Sequence, residues 1–172
     1  MRVGIVTVSD RSSQGLREDL SGKLLAELVR KIPAEIVARQ VVPDEKNRIQ
    51  AVLISWVDDL DCEVVLTTGG TGIAARDVTP EATSEILEKE IPGVSEALRQ
   101  VGQQQTPRAV LSRGVAGVRK RSLIVNLPGS PEAVREAFKI LGPLLAHAVG
   151  LIRGTVMDCR TDERKGRRKN GT

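Results

Sequence analysis

Residues 62–83 read CEVVLTTGGTGIAARDVTPEAT, and the reading of this stretch decides how the rest of the chain is understood. Its first part, CEVVLTT, is a short continuous apolar run, the pattern of a strand buried on both faces in a parallel sheet covered by helices. Its middle crowds Gly69, Gly70 and Gly72 among threonines. Its end predicts a helix start at Thr79 and Pro80, because threonine caps helices and proline is tolerated in their first turn. Strand, glycine loop and helix in this order are one step of an alternating β/α chain.

The same rhythm runs outward in both directions. Arg2 to Ser9 alternates small and branched apolar residues and empties into the polar turn SDRSSQG, which predicts a first strand. Leu20, Leu24, Leu25, Leu28, Val29 and Ile32 then follow at helical spacing until Pro33. EIVARQVVPD predicts a second strand, with Arg39 at a less buried position. Ile49, Val52, Leu53, Trp56, Val57 and Leu60 predict the next helix, with Asp44 placed to cap it. Beyond the glycine loop, PEATSEILEKEI predicts a helix and PGVSEALRQVG a second, kinked piece; TPRAVLSRGVAGVRKRSLIVNLPGS predicts two short strands about a basic turn. Ser130 and Pro131 open a last long helix, in which Gly142 and Pro143 mark a place for a bend. The sum is one α/β domain over residues 1–155, a three-layer α/β/α sandwich with a mostly parallel central sheet and no internal repeats.

Composition bounds the function. A chain of 172 residues with 40% apolar and 28% charged content suits one folded core. VGIVTVS is far shorter than the ~20 apolar residues of a membrane span, so neither a targeting signal nor a membrane segment is expected. Cys62 and Cys159 are isolated and there is one histidine, which argues against a disulfide framework or a zinc site and fits a reducing cytoplasm. The formal charge of +4 sits at the end: from Arg160, RTDERKGRRKNGT has six basic and two acidic residues, which leaves the remainder neutral. Residues 156–172 are therefore expected to be a basic, mobile tail. One Trp, one Phe and no Tyr give no stacking platform, so no specific nucleic-acid partner is expected.

In an open parallel sheet, ligands bind beyond the carboxyl ends of the strands, and SDRSSQG, PDE, TTGGTG and NLPGSP all follow strands directly. Gly69, Gly70 and Gly72 allow a turn that brings several N–H groups close to a phosphate, with Thr68 and Thr71 adding hydroxyls. A P-loop is excluded because no Gly-Lys-Ser/Thr follows. Gly70-x-Gly72-x-x-Ala75 imitates a dinucleotide fingerprint, but the helix near Thr79 begins too late to serve it. Asp77 after the loop, Asp44 after the second strand and Asp10 after the first converge on one edge. Carboxylates beside a phosphate loop repel the ligand unless a divalent cation lies between, and Mg²⁺ is held by one or two carboxylates plus phosphate oxygens. Nucleotide plus magnesium is the resulting expectation. Plainer roles stand beside it: Asp44 as a helix cap and Asp77 in an ion pair with Arg76. His147 and Trp56 read as packing residues, and Arg113, Arg119, Lys120 and Arg121 as a solvated basic face or an attractor of anionic substrates.

The run TTGGTGIAARDVTPEAT, with VVPDEKNRI before it and LSRGVAGVRKRSLIVNLPGSPEAV after it, resembles the molybdopterin adenylyltransferase family of molybdenum cofactor biosynthesis, which also forms the G domain of gephyrin. The resemblance runs from Arg2 to about Arg153. It implies a domain, usually trimeric, that transfers AMP from ATP to the terminal phosphate of molybdopterin with Mg²⁺ and releases pyrophosphate. It implies catalytic roles for Asp44 and Asp77, both expected at the metal, and a phosphate-contacting role for Thr68, Gly69, Gly70, Thr71 and Gly72. By analogy Ser9, Asp10, Ser112 and the turn with Asn126, Pro128, Gly129 and Ser130 line the same pocket. Hand-over to a molybdate insertase in the cytoplasm belongs to the same expectation. A pterin- or nucleotide-binding paralog of the same fold, or a scaffold module, is the alternative.

Overall fold

Register in the central sheet decides where the loops emerge. In the computed structural model, which describes residues 1–156, β1 (Arg2–Val8) pairs in parallel with β2 (Glu35–Val42) on one side and β3 (Val64–Thr68) on the other. β3 pairs in parallel with β6 (Ser122–Leu127). Thr7 stands opposite Thr68 and Thr68 opposite Leu127, so the three central strands end in one row and their following loops leave side by side. β5 (Ala116–Arg119) adds antiparallel to β6, and the two-residue β4 (Lys89–Glu90) antiparallel to β5, giving the order β2-β1-β3-β6-β5-β4. The expected mostly parallel sheet is observed. The residues assigned to the basic tail, apart from Val156, and Cys159 lie outside the described residues.

Alternation along the strands fills two cores. Val3, Ile5, Val64, Leu66, Leu123, Val125 and Leu127 pack beneath α2 (Leu20–Val29) and α6 (Pro131–Arg153). Val6, Val8, Val65 and Ile124 face the opposite layer, beneath α3 (Lys46–Asp58). Each fully buried Leu or Ile here contributes roughly 1.5–3 kcal/mol. Trp56 belongs to the second core and lies over Gly4, where an added side-chain carbon would sit 2.5 Å from the indole. A glycine inside a central strand is therefore the space the Trp56 ring needs.

Four expectations about elements change. The helix expected over PEATSEILEKEI stops at Ser84 as α4 (Thr79–Ser84), because Glu88 N–H and Ile91 N–H donate to Val118 and Ala116 carbonyls and draw the segment into β4. Pro92 then starts an independent helix, α5 (Pro92–Gln105). The segment Pro107–Leu111 is a 3₁₀ turn, so the first strand of the expected pair begins only at Ala116. Glu45, not Asp44, occupies the N-cap of α3. Asp44 is drawn away from capping by a partner on another loop, the amide of Asp10.

Candidate active site

The glycine loop is held by its carbonyls. Thr79 donates from Oγ1 to Gly69 O at 3.0 Å and from its backbone N–H to Gly70 O at 3.1 Å. Arg113 donates from its backbone N–H to Thr71 O at 2.8 Å and from Nε to Gly72 O at 2.7 Å. Four consecutive carbonyls therefore point into the protein body. In a planar trans peptide the N–H lies opposite the C=O, so the N–H groups of Gly70, Thr71, Gly72 and Ile73 are turned the other way. None of the four has an acceptor among the described residues. Gly69 at φ +97° and Gly70 at φ +63° supply the left-handed backbone this arrangement needs, and a side-chain carbon at Gly69 would lie 2.2 Å from Val8 O. A row of unpaired N–H groups in such a turn is an anion-binding concavity.

The neighbouring loops lock onto it. Thr68 Oγ1 donates to Pro128 O at 2.7 Å and Gly69 N–H to Leu127 O, joining the loop to the NLPGS turn. Ser9 and Ser130 accept from Ser12 N–H and Ala133 N–H and so cap α1 (Asp10–Ser13) and α6. Asn126 is committed inward: its Nδ2 donates to Thr67 Oγ1 and Thr83 Oγ1, both at 3.0 Å, and its Oδ1 accepts from Val115 N–H.

Asp10 and Asp44 exchange hydrogen bonds, Asp10 N–H to Asp44 Oδ2 at 2.7 Å and Asp44 N–H to Asp10 Oδ1 at 3.0 Å. The ion pair expected between Arg76 and Asp77 is instead made with Asp10, whose two oxygens take Arg76 Nε and Nη2 at 3.0 and 2.8 Å. Those bonds hold the Asp10 carboxyl below its ordinary range. Burial, reinforced by the charges of Asp10 and Asp77, pushes Asp44 up, and the Asp10 N–H offsets part of this. Asp77 Oδ2 accepts from Ala74 N–H at 2.8 Å. Both carboxylates lean on the glycine loop: a side-chain carbon at Gly70 would lie 2.9 Å from Asp44 Oδ1, and one at Gly72 2.8 Å from Asp77 Oδ2.

Two cavities meet here. The larger, about 570 Å³, reaches from Gly70, Thr71, Gly72 and Asp77 to Ser112, Asn126 and Pro128 and on to Leu98, Arg99 and Leu111. The smaller, about 400 Å³, holds Ser9, Asp44, Thr68 and Gly69 together with Arg17 and Asp19. Gly70, Asp77, Gly129 and Ser130 line both. Asp10, whose carboxylate is engaged by Arg76, lines neither.

Asp44 and Asp77 fit a divalent cation as a donor pair. They are negative, mutually repelling and beside an anion cradle, while the third carboxylate is already matched by an arginine. No cluster of three or more His, Cys, Asp or Glu able to hold a metal occurs among the described residues, so phosphate oxygens would have to complete the shell, as Mg²⁺ sites commonly require.

Three groups here escape the sequence reading. Thr79 looks like a cap and is a tether for the loop. Arg113, assigned to a basic face, has its guanidinium on Gly72 O, Asp77 O and Glu81. Asp19 collects Thr7 Oγ1, Arg39 and Gly22 N–H beside the smaller cavity. Only Arg39, a cation within an apolar strand, signals such a partner in advance. Trp56 is buried as expected, and His147 is half-buried on α6 away from both cavities.

Residues 4–147 match the family described as "Probable molybdopterin binding domain". The chain is 42% identical over 160 residues to a molybdopterin adenylyltransferase of Helicobacter pylori (strain ATCC 700392 / 26695), covering 91% of this chain and 90% of that protein. It is 42% identical to the molybdopterin adenylyltransferase of Escherichia coli K12 over 142 residues, 81% of this chain and 72% of that one. Among solved structures, the molybdopterin biosynthesis enzyme MoaB of Thermus thermophilus superposes with a TM-score of 0.84 at 50% identity, covering 89% of this chain and 96% of that chain.

Proposed function

The chain belongs to the molybdopterin adenylyltransferase family, and from that premise we infer how its site works. It is a nucleotidyltransferase of molybdenum cofactor biosynthesis: AMP passes from ATP to the terminal phosphate of molybdopterin, giving adenylyl-molybdopterin and pyrophosphate. The observation that carries the reading is the seam between the two cavities, where the unpaired N–H groups of Gly70 to Ile73 adjoin Asp77. A reaction joining two phosphate-bearing substrates needs one chamber for each and a shared wall where their phosphates meet.

A phosphate oxygen of molybdopterin attacks the α-phosphorus of ATP; the new P–O bond forms as the bond to the β-phosphate oxygen breaks, and pyrophosphate leaves with the electron pair. A phosphate monoester with a second pKa of ~6 is already largely dianionic at neutral pH and needs no general base. The difficulty is bringing two polyanions together, so positioning and charge stabilisation dominate. The amides of Gly70 to Ile73 donate to phosphate oxygens. The N-terminus of α6, capped by Ser130 at both cavities, adds its dipole. Asp44 and Asp77 would hold Mg²⁺, which when bound supplies charge neutralisation between the phosphates. Ser9, Thr68, Thr71, Ser112, Pro128 and Gly129 shape the walls.

The same reading includes a homotrimer, hand-over of product to a molybdate insertase and a cytoplasmic setting. Ile140, Leu144 and Leu151, exposed on α6, support the first by offering an apolar face. Among the described residues no helix is long and apolar enough to cross a membrane. Incubation with ATP, MgCl₂ and molybdopterin is expected to release pyrophosphate and form the adenylylated pterin, dependent on all three. Binding of both substrates without product would favour the paralog reading instead.

A further inference from the structure

Arg113, although its side chain is partly exposed, has its guanidinium on the back of the loop. Its Nε and Nη2, which point the same way along one edge of the guanidinium, donate to Gly72 O at 2.7 Å and Asp77 O at 2.6 Å. Its other edge meets Glu81 on α4, and its backbone N–H holds Thr71 O. The segment from Gly72 to Asp77 is thus closed into a loop by one side chain from outside and by Asp77 N–H to Ala74 O and Ala74 N–H to Asp77 Oδ2 within. Pulling the Thr71 and Gly72 carbonyls towards Arg113 turns the Gly72 and Ile73 N–H groups away from it. Fixing the Asp77 carbonyl sets where the Asp77 side chain begins.

We propose that Arg113 is a positioning residue for adenylyl transfer: by holding both ends of the Gly72–Asp77 loop, it aims the Gly72 and Ile73 amides at phosphate and fixes the Asp77 carboxylate beside them. The planar fork is the reason for arginine at this position. A lysine ammonium can satisfy one carbonyl, but it cannot hold two in one plane while also meeting Glu81. Misplacement of a reacting group by about 1 Å costs about a hundredfold in rate, which sets the effect expected when the fork is lost.

The proposal rests on the phosphate-cradle reading above, so its test has one arm independent of turnover. In the first arm, inorganic pyrophosphate is titrated into the ¹⁵N-labelled full chain. Wild type is expected to show shifts at the Gly70–Ile73 amides, and Arg113→Ala and Arg113→Lys to bind about tenfold more weakly with smaller shifts at Gly72 and Ile73. In the second arm, adenylyl transfer by Arg113→Ala is expected to lose about a hundredfold in kcat, with KM for molybdopterin nearly unchanged. Added guanidinium ion is expected to restore part of the kcat in Arg113→Ala and none in Asp77→Asn. Arg113→Lys, which keeps the charge and the Glu81 contact, covers the case in which the alanine variant does not fold.

Variants that bind pyrophosphate like wild type, or a lysine variant as active as arginine, overturn the positioning role. So does loss of molybdopterin affinity with kcat intact, which would make Arg113 a substrate contact. A wild type whose Gly70–Ile73 amides ignore pyrophosphate overturns it outright. A wild type that binds pyrophosphate there but forms no adenylyl product defeats the functional reading alone, and the titration still decides Arg113.

Discussion

Replacement of Asn126 by alanine separates a brace from a ligand-binding group. The residue lines the larger cavity, yet its amide is spent on protein: Nδ2 on Thr67 and Thr83, Oδ1 on the N–H of Val115. Asn126 is 4% exposed and both threonines are fully buried, so their shared bonds lie out of reach of solvent, whereas Val115 is half-buried beside the cavity. The half-buried Val115 N–H left without its acceptor costs roughly 1 kcal/mol, the low end of the range for an unsatisfied donor, and the lost bond to Thr67 roughly 0.5–1.5 kcal/mol. Thr83 Oγ1 keeps its bond to Thr79 O and loses less. A total of about 2 kcal/mol corresponds to a fall in Tm of about 4–8 °C for a domain of this size. Thr83 sits one helical turn from Thr79, which tethers the glycine loop, so loss of transfer activity should accompany the loss of stability. Calorimetric unfolding at fixed protein concentration reads the stability, and pyrophosphate release with nucleotide titration below the new Tm reads transfer and binding. A variant with unchanged Tm and abolished nucleotide affinity would refute the reasoning, because the amide would then serve substrate and not the fold.

Other consequences are equally direct. Asp77→Asn is expected to abolish AMP transfer while molybdopterin binding survives, measurable by product formation against equilibrium binding. Asp44→Asn should raise Tm at neutral pH while lowering transfer: burial raises the Asp44 pKa in the folded state, so the native protein holds the proton more tightly than the unfolded chain. Stability therefore falls as pH rises through the window between the unfolded value of ~3.9 and the folded one. The variant's advantage should shrink as pH drops below that window, and thermal scans from acid to neutral pH check the sign. Gly69→Ala places a carbon 2.2 Å from Val8 O at φ +97°, where neither backbone can yield cheaply. It should cost about 2 kcal/mol or more and inactivate the loop, read by Tm and pyrophosphate release together.

Alternating apolar runs and helical spacings were enough for the α/β sandwich, because both periods are local properties of the chain. The loop residues Gly69, Gly70 and Gly72 and the acids Asp44 and Asp77 were legible for the same reason: each follows a strand, and strands in a parallel sheet deliver their loops to one edge. What the local pattern could not contain is who holds whom. Arg76 stands next to Asp77 in the chain yet pairs with Asp10, 66 residues away. Arg113 reaches back 41 residues to Gly72. Asp44 leaves the helix it was placed to cap for the amide of Asp10, and Lys89–Glu90 leaves a helix for the edge of β5. The Asp10 amide and the open edge of β5, present only after the layers pack, outweigh local preferences worth about 1 kcal/mol, and the two arginines take acceptors that packing alone brings within their reach. Sequence alone determined the sheet, the loop and the acidic pair; the tertiary structure decided which carbonyls are tied back, and so where the loop's free N–H groups point.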